Sequence, residues 1–423
     1  MPQYFFILGR NPSLSIAEIL SVLNSLSISF EIKIISQEVL IIETENTIDA
    51  NQLVKTFGGT IKIGQVIQSV GLDEDESNFQ KVFEADNLTK NYFLKLDGKI
   101  HFGISIYDGG TDRIYLNKIT SKLKILSIAI KENLADAGLR AGFVRLKERF
   151  LSSVSVWKNK LLTDGAEIVL ILTRDQIFAG KTLAVQEFES FSFRDYGRPE
   201  RDTRSGIIPP KLARMMINLA SISKEELLVD PFCGSGTILQ EAIILGYRNI
   251  LGSDISHNAI SDTRKNIDWL FDHFYNIDRS IYNINIYQSD IRSIPERIKS
   301  ESIDTIVTEP YLGPPLFKSP SLDTINRIFD EVGKLYLDAF SQIHKILKKT
   351  GKVVFIFPAF EIKGKMQYIP ILDKIKSMGF SQKNYFPIVF KDNPIIMLTS
   401  RNTIIYGGKE QFVKREIISW QKG

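Results

Sequence analysis

The stretch Asp230-Pro231-Phe232-Cys233-Gly234-Ser235-Gly236-Thr237 follows the short apolar run Leu227-Leu228-Val229. A strand that runs into a Gly-x-Gly turn and then a helix brings backbone N–H groups close to a ligand. Gly234 and Gly236 permit this because they carry no Cβ. Asp254 ends the next apolar run and Asp290 the one after it. A carboxylate at Asp254 can accept both ribose hydroxyls of an adenosine group, and one at Asp290 can accept from the adenine amine. Three acids at successive strand ends around one glycine turn describe a nucleoside site; the plainer alternative is a set of loop caps. A dinucleotide fold wants a third glycine, G-x-G-x-x-G, and Leu239 stands at that position. Asp230 would repel a pyrophosphate but suits the cationic end of S-adenosyl-L-methionine (SAM). The loop therefore favours SAM over NAD, with a dehydrogenase as a distant alternative.

The elements that must hold these residues are legible around them. After Lys211 the chain alternates strand and helix. A helix at 211–220 precedes the strand 227–229, and a helix at 237–245 follows it. Strands at 250–253, 284–287, 303–307 and 352–357 are separated by helices at 256–272 and about 324–348. This is the pattern of a doubly wound sheet, where ligands sit at the carboxyl ends of the strands. The last apolar runs, about 384–390 and 395–406, read as an antiparallel hairpin. Before residue 190 the pattern is mixed α/β. Tyr4–Leu8 is a strand, and Ser15 with Glu18 forms a capping box for a helix to about Leu26. Strands follow at 30–35, 39–43, 60–66, 99–107, 143–146 and 167–172. A basic amphipathic helix spans 118–137 and closes at Gly138, and a short helix lies near 152–160. Residues 73–77 form an acidic loop. The expected organisation is a small α/β unit at 1–60, a second α/β region at 61–190 and a Rossmann-like domain at 191–423.

The chain has 423 residues, enough for two or three domains. Hydrophobic residues make up 43% and charged residues 24%, which excludes a disordered or fibrous chain. A single Cys excludes a disulfide framework and Cys-rich zinc sites. The four His show no metal-ligand spacing, so no metal is expected. No signal peptide and no membrane span are expected, and the chain reads as cytoplasmic. Residues 1–110 carry 8 Lys/Arg against 14 Asp/Glu, whereas residues 111–215 carry 19 against 12. A basic middle beside an acidic start fits a localised phosphate-binding footprint or a solvated lysine face equally well.

The segment 194–210, RDYGRPERDTRSGIIPP, has linker chemistry but holds Arg194, Arg198, Arg201 and Arg204. DPFCGSGTILQEA resembles motif I of class I SAM-dependent methyltransferases. RDYGRPERDTRSGIIPPKLARMMINLA resembles the junction in the Trm11-type tRNA guanine-N2 methyltransferases, the archaeal guanine-10 enzymes among them, and the start FFILGRNPSLSIAEI resembles theirs. The likeness covers nearly the whole chain and is weakest at about 44–110. It implies a THUMP-like RNA-binding module at 61–190, SAM as cofactor, tRNA as partner, and room for a small activating protein subunit. It implies cofactor-binding positions at Pro209, Lys211, Asp230, Phe232, Gly234, Gly236, Thr237, Asp254, Ile255, Ser289, Asp290 and Thr308. Pro209-Pro210 is also an ordinary helix start.

The catalytic loop departs from the family pattern. Amino-methyltransferases of this type carry Asp/Asn-Pro-Pro-Tyr/Phe after the fourth strand, and here Thr308-Glu309-Pro310-Tyr311-Leu312-Gly313-Pro314-Pro315 stands there. An exocyclic amine is a poor nucleophile because its lone pair is delocalised into the ring. Acceptors for its two N–H groups can turn that lone pair toward a methyl group. Glu309 is the expected acceptor, the Pro310 carbonyl the second, and Tyr311 the ring that stacks the extruded base. The expected reaction is N2-methylation of a guanosine in tRNA. Amino-methylation of DNA or rRNA is the alternative, as is an RNA-binding protein that keeps SAM without transferring its methyl. Cys233 reads as a small apolar residue rather than a nucleophile. The four arginines could clamp RNA phosphate or the SAM carboxylate, or pair with Asp195, Glu200 and Asp202. Lys118, Lys122, Lys124 and Lys131 read equally as a phosphate-facing stripe or a solvated face.

Overall fold

The computed structural model describes residues 1–72, 82–93, 99–145, 148–201, 207–390, 393–408 and 410–423. The chain divides into two units, Met1–Ile16 with Ser27–Phe188, and Ala17–Leu26 with Glu189–Gly423. No helix among the described residues is long and apolar enough to cross a membrane.

The first unit is built from β1 (Gln3–Leu8), α1 (Pro12–Ser25, whose residues from Ala17 group with the second unit), β2 (Phe30–Ile35), β3 (Val39–Thr44), α2 (Ala50–Thr56), β4 (Thr60–Gly71), α3 (Ala85–Asn91), β5 (Lys99–Asp108), α4 (Arg113–Ser121), α5 (Leu123–Asp136), β6 (Arg140–Phe143), α6 (Ser153–Lys158), β7 (Gly165–Leu172) and β8 (Gln176–Val185). One sheet of order β2-β3-β1-β4-β8-β7-β5-β6 runs through it. The segments 1–60 and 61–190 share that sheet, since β4 begins at Thr60 and lies between β1 and β8. β7 is apolar except at Glu167 and buried at every residue, as a strand covered on both faces must be. Its Glu167 is fully buried, paired with Lys62 and bonded by the hydroxyls of Ser105 and Thr182. A buried charge persists only when it is paired and hydrogen-bonded in this way.

Some local expectations change. Asn11, not Ser15, caps α1: its Oδ1 accepts from Leu14 N, and the Ser15 hydroxyl turns back to the Asn11 and Gly59 carbonyls. Glu18 does not complete a capping box; it is buried and accepts from Asn218 Nδ2. The single helix expected at 118–137 is two, α4 and α5, meeting at Lys122. The strand expected at 143–146 ends at Phe143, and Leu146 lies outside the described residues, as does the acidic loop 73–77.

The second unit contains α7 (Phe188–Tyr196), α8 (Pro210–Ala220), β9 (Leu227–Asp230), α9 (Thr237–Ile244), β10 (Asn249–Asp254), α10 (His257–His273), β11 (Asn283–Gln288), β12 (Ile303–Thr308), α11 (Leu322–Ile346), β13 (Leu347–Ile362), β14 (Lys365–Tyr368), α12 (Leu372–Ser377), β15 (Phe380–Gln382), β16 (Ile404–Tyr406) and β17 (Val413–Lys422). The sheet order is β11-β10-β9-β12-β13-β17-β15. The first five strands are parallel, and β17 inserts antiparallel between β13 and β15. This is the doubly wound, Rossmann-like sheet the sequence predicts. Strand order reverses between β9 and β12, and in such sheets the crevice at that switch point takes the ligand. α11 buries Ile325, Ile328, Phe329, Val332, Tyr336, Ala339, Phe340, Ile343 and Ile346, a helical stripe three and four residues apart. Phe340 and Tyr336 pack on Phe355 and Phe357 of β13.

The expected hairpin at 384–390 and 395–406 does not form. Ile388–Phe390 is a 3-10 turn with Ile388 and Val389 exposed, and only Ile404–Tyr406 of the second run is a strand, paired with β17. Pro387 withdraws a ladder donor from the first run. The junction also differs from a plain linker, because Arg194 lies in α7; Arg204 and Asp202 lie outside the described residues.

Candidate functional site at the switch point

The glycine loop links β9 to α9. Gly234 and Gly236 both have left-handed φ, +52° and +81°, which only glycine adopts without strain. A Cβ on Gly234 would meet nothing within 4 Å, so this face of the loop is open. A Cβ on Gly236 would meet Thr263 Cγ2 at 2.9 Å, so the loop rests directly on α10. Thr263 Oγ1 donates to the Gly234 carbonyl at 2.7 Å. Cys233 N donates to the Ser253 carbonyl at 3.0 Å. The Cys233 thiol is buried, and burial pushes its pKa well up, with Asp230 and Asp254 adding to the effect. It is a packing residue, since a nucleophilic thiol needs the opposite environment.

The carboxylates take three different positions. Asp230 is buried, and its Oδ1 accepts from Thr308 Oγ1 at 2.6 Å and from Phe232 N at 3.2 Å. Burial pushes its pKa up to about 7, against those two hydrogen bonds. Asp254 accepts from Gly234 N at 3.0 Å and from Ser256 N at 2.9 Å, so it shapes the glycine loop and holds Ser256, the residue that caps α10. Asp290 caps a 3-10 turn and already holds Arg292, whose backbone N and Nε donate at 2.8 and 3.0 Å. The Arg292 hydrogen bond keeps the Asp290 carboxyl below its ordinary range. Ser289 N donates to the Asp254 carbonyl at 2.9 Å, and Ile255 is exposed beside it.

Glu309 follows β12 and is largely buried. Arg415 of β17 donates from Nε to Glu309 Oε1 at 2.5 Å, and Arg415 Nη2 also reaches the Ile207 carbonyl at 3.5 Å. Burial raises the Glu309 pKa, with Arg415 opposing. Pro310 is buried and Tyr311 is 43% exposed. The Tyr311 carbonyl accepts from Tyr336 Oη at 2.6 Å, which ties this loop to α11. Gly313 has a φ of +104°, and a Cβ there would meet Ile328 Cγ2 at 2.7 Å. Asp230 and the Glu309 loop are joined through the Thr308 hydroxyl, so the glycine loop and the acceptor loop stand at the ends of adjacent strands.

Pro209 caps α8, and Lys211 places its ammonium 5.3 Å over the Phe191 ring. Of the four junction arginines, Arg194 donates to Glu241 Oε1 at 2.5 Å, and Arg214 of α8 joins it on Glu241 Oε2 at 2.6 Å. Burial pushes the Glu241 pKa up, but the two guanidiniums outweigh it and hold the carboxyl below its ordinary range. Arg198 donates from Nη1 to Thr237 Oγ1 at 2.5 Å. Arg201 pairs loosely with Asp195 at 3.9 Å. Asn266 clips the neighbouring segment to the loop, donating to the Glu200 and Ser235 carbonyls at 3.0 and 2.8 Å.

Sequence reasoning missed Arg415, Tyr336, Glu241, Thr263 and Asn266. Glu241 leaves a trace, as the one acid, a turn inside the largely apolar helix after the glycine loop. Arg415 leaves none.

The family described as RMKL-like, methyltransferase domain, matches residues 198–362. A tRNA (guanine(10)-N2)-dimethyltransferase of Methanothermobacter thermautotrophicus is 31% identical over 45% of this chain and 50% of its own. A protein of Methanothermococcus thermolithotrophicus named probable tRNA (guanine(10)-N2)-dimethyltransferase is 31% identical over 34% of this chain and 78% of its own. The chain spans about half the length of the first of these relatives. Among solved structures, TrmN from Thermus thermophilus is similar in fold over the whole of both chains, with a TM-score of 0.55 at 13% identity.

Proposed function

Belonging as it does to the family of the tRNA (guanine(10)-N2)-dimethyltransferases, with their methyltransferase domain, this chain, we propose, methylates the exocyclic N2 of a guanosine in tRNA in the cytoplasm. The observation that carries the reading is the Thr308–Asp230 hydrogen bond, which joins an open glycine loop to a loop bearing a carboxylate, a proline carbonyl and an exposed tyrosine.

The residues present fit SAM. Gly234 leaves room for a ligand against its backbone, and Asp230 offers a buried carboxylate that gains by facing a cation. Gly234, Gly236, Phe232 and Thr237 would line the amino-acid end, and Asp254 with Ile255 the ribose. Ser289 and Asp290 would line the adenine, and Thr308, Pro209 and Lys211 would flank the pocket. When bound, SAM supplies a methyl group on a positively charged sulfur. The chain's own part is positional. Glu309 and the Pro310 carbonyl accept the two N–H groups of the guanine amine, which turns its lone pair toward the methyl group. Tyr311 stacks the extruded base. Such positioning is worth several orders of magnitude in rate. Arg415 fixes the Glu309 carboxylate and opposes the rise in its pKa that burial causes. Residues 1–190 are proposed as the RNA-binding region, with a THUMP-like module at 61–190.

A second reading also has an observation behind it. Arg415 already occupies Glu309, which favours a SAM-holding RNA-binding protein without transfer. Labelled SAM and unmodified tRNA, followed by nucleoside analysis, separate the two. N2-methylguanosine is the expected product. SAM binding with no product from tRNA, rRNA or duplex DNA would favour the second reading and sink the first.

A further inference from the structure

Arg198 is 4% exposed, and among the described residues only its Nη1 is engaged, by Thr237 Oγ1 at 2.5 Å. Its Nε and Nη2 are buried and find no partner among the described residues. An unmade hydrogen bond to a buried charged group is costly, so two on one guanidinium call for a reason. Thr237 is the first residue of α9, directly after Gly236, so the unused fork lies where the glycine loop ends. The segment carrying Arg198 is held over that loop by Asn266, which bonds both Glu200 and Ser235.

The surrounding charge points the same way. Arg194, Arg198 and Arg214 are all buried in this unit, and among the described residues the buried carboxylates beside them are Glu241 and Glu18. Glu241 serves Arg194 and Arg214. Asp195, which also acts on Arg198 electrostatically, is paired with Arg201. Among the described residues, one buried positive charge is left without an ion-pair partner of its own. A macromolecular phosphate cannot be its partner, because a side chain this deeply buried is out of reach of an RNA backbone. A small carboxylate seated at the end of the glycine loop, where Thr237 holds the guanidinium, can reach it.

We propose that Arg198 recognises the α-carboxylate of the cofactor's amino-acid group, through its Nε and Nη2. The proposal rests on the SAM reading above. A fork of two parallel N–H donors matches a carboxylate, and charge-assisted bonds of this kind are the strong ones. Arg198 is thereby a specificity residue that separates amino-acid-bearing nucleosides from bare thioadenosines.

The test is calorimetric binding, without turnover. S-adenosylhomocysteine is compared with its decarboxylated analogue, 5′-(3-aminopropylthio)-5′-deoxyadenosine, which keeps the amine and lacks the carboxylate. Wild-type protein should prefer S-adenosylhomocysteine by about tenfold to a hundredfold. Arg198→Gln should erase that preference by weakening S-adenosylhomocysteine alone. Arg198→Lys, which keeps the buried charge and protects the fold, should retain part of it. Equal affinities in the wild type, or an equal loss of both ligands in Arg198→Gln and Arg198→Lys, would overturn the assignment while leaving the SAM reading intact. Binding of neither ligand to the wild type would overturn both.

Discussion

Arg415 and Glu309 form a largely buried ion pair between the antiparallel strand β17 and the loop after β12. Each side chain is 11% exposed, so neither charge is stable there without the other. Removing one partner of such a pair costs on the order of 3–5 kcal/mol, because the other is left buried and unpaired. Arg415→Met should therefore lower the melting temperature strongly. It should also push the Glu309 pKa further up, since Arg415 is what opposes burial. Adding Glu309→Gln to Arg415→Met should restore much of the stability and none of the activity. Calorimetric melting and single-turnover methylation on the three proteins measure this. A stable double variant with full turnover would remove Glu309 from catalysis.

Asp230 makes stability depend on pH. Its pKa rises from 3.8 to about 7 on folding, chiefly through burial. A carboxyl raised in this way binds a proton in the native state that the unfolded chain has lost. Its contribution is full below pH 4 and disappears as pH rises through about 7. At 1.36 kcal/mol per unit the cost at pH 8 is on the order of 4 kcal/mol. Asp230→Asn should flatten the slope of stability between pH 4 and 7 and raise the melting temperature at pH 8. The same variant should weaken SAM binding at pH 8 by at least about tenfold, since it removes the carboxylate proposed to face the cation. Unchanged pH dependence of melting in Asp230→Asn would show that Asp230 folds with an ordinary pKa.

Asp254 and Asp290 look alike in sequence and should behave differently. Asp254 shapes the glycine loop through Gly234 N, whereas Asp290 is engaged by Arg292 in an exposed pair. Asp254→Ala should cost about a hundredfold in SAM affinity, by losing both the loop bond and the proposed ribose acceptor. Asp290→Ala should cost only a few-fold, because any adenine contact there is made in competition with Arg292 and an exposed pair contributes little. Equilibrium binding on the two variants decides the ranking, and the reverse order would shift the adenosine site toward β11.

The parallel half of the second unit is legible because each strand is a short apolar run ending in acid, Gly or Pro, and each effect is local. Gly234 and Gly236 are required by φ values their own turn imposes. Arg415 is not legible, because its meaning arises only when β17 pairs antiparallel with β13 and sets Arg415 opposite Pro358. The break between α4 and α5 escapes a periodicity argument, since Lys122 keeps near-helical angles (φ −86°, ψ −4°) and the apolar spacing runs through it. The run at 384–390 misleads in the opposite direction. Its residues are strand formers, but Ile388 and Val389 are exposed and no strand among the described residues pairs with them. The junction reads as a linker by composition, yet Arg194 is buried through its ion pair with Glu241 and Arg198 through its bond to Thr237 Oγ1, tertiary contacts that no local pattern encodes.

Tyr336 gives a way to loosen the acceptor loop without touching its chemistry. Its ring is buried against Phe355 and Phe357, and its hydroxyl donates to the Tyr311 carbonyl at 2.6 Å. Tyr336→Phe keeps the packing and deletes one hydrogen bond, a loss of about 1 kcal/mol. Melting should fall by only a few degrees and SAM affinity should be unchanged, since no glycine-loop contact is involved. The loop bearing Tyr311 would no longer be held at that carbonyl, so the base would be positioned less well. The turnover rate with tRNA should drop by roughly tenfold to a hundredfold, the order expected for a small misplacement of reacting groups. Tyr311→Ala, which deletes the stacking ring itself, should show the same unchanged SAM affinity with a larger loss on tRNA. Equal turnover in Tyr336→Phe and wild type would mean that the loop is held by Pro310 and the Arg415–Glu309 pair alone.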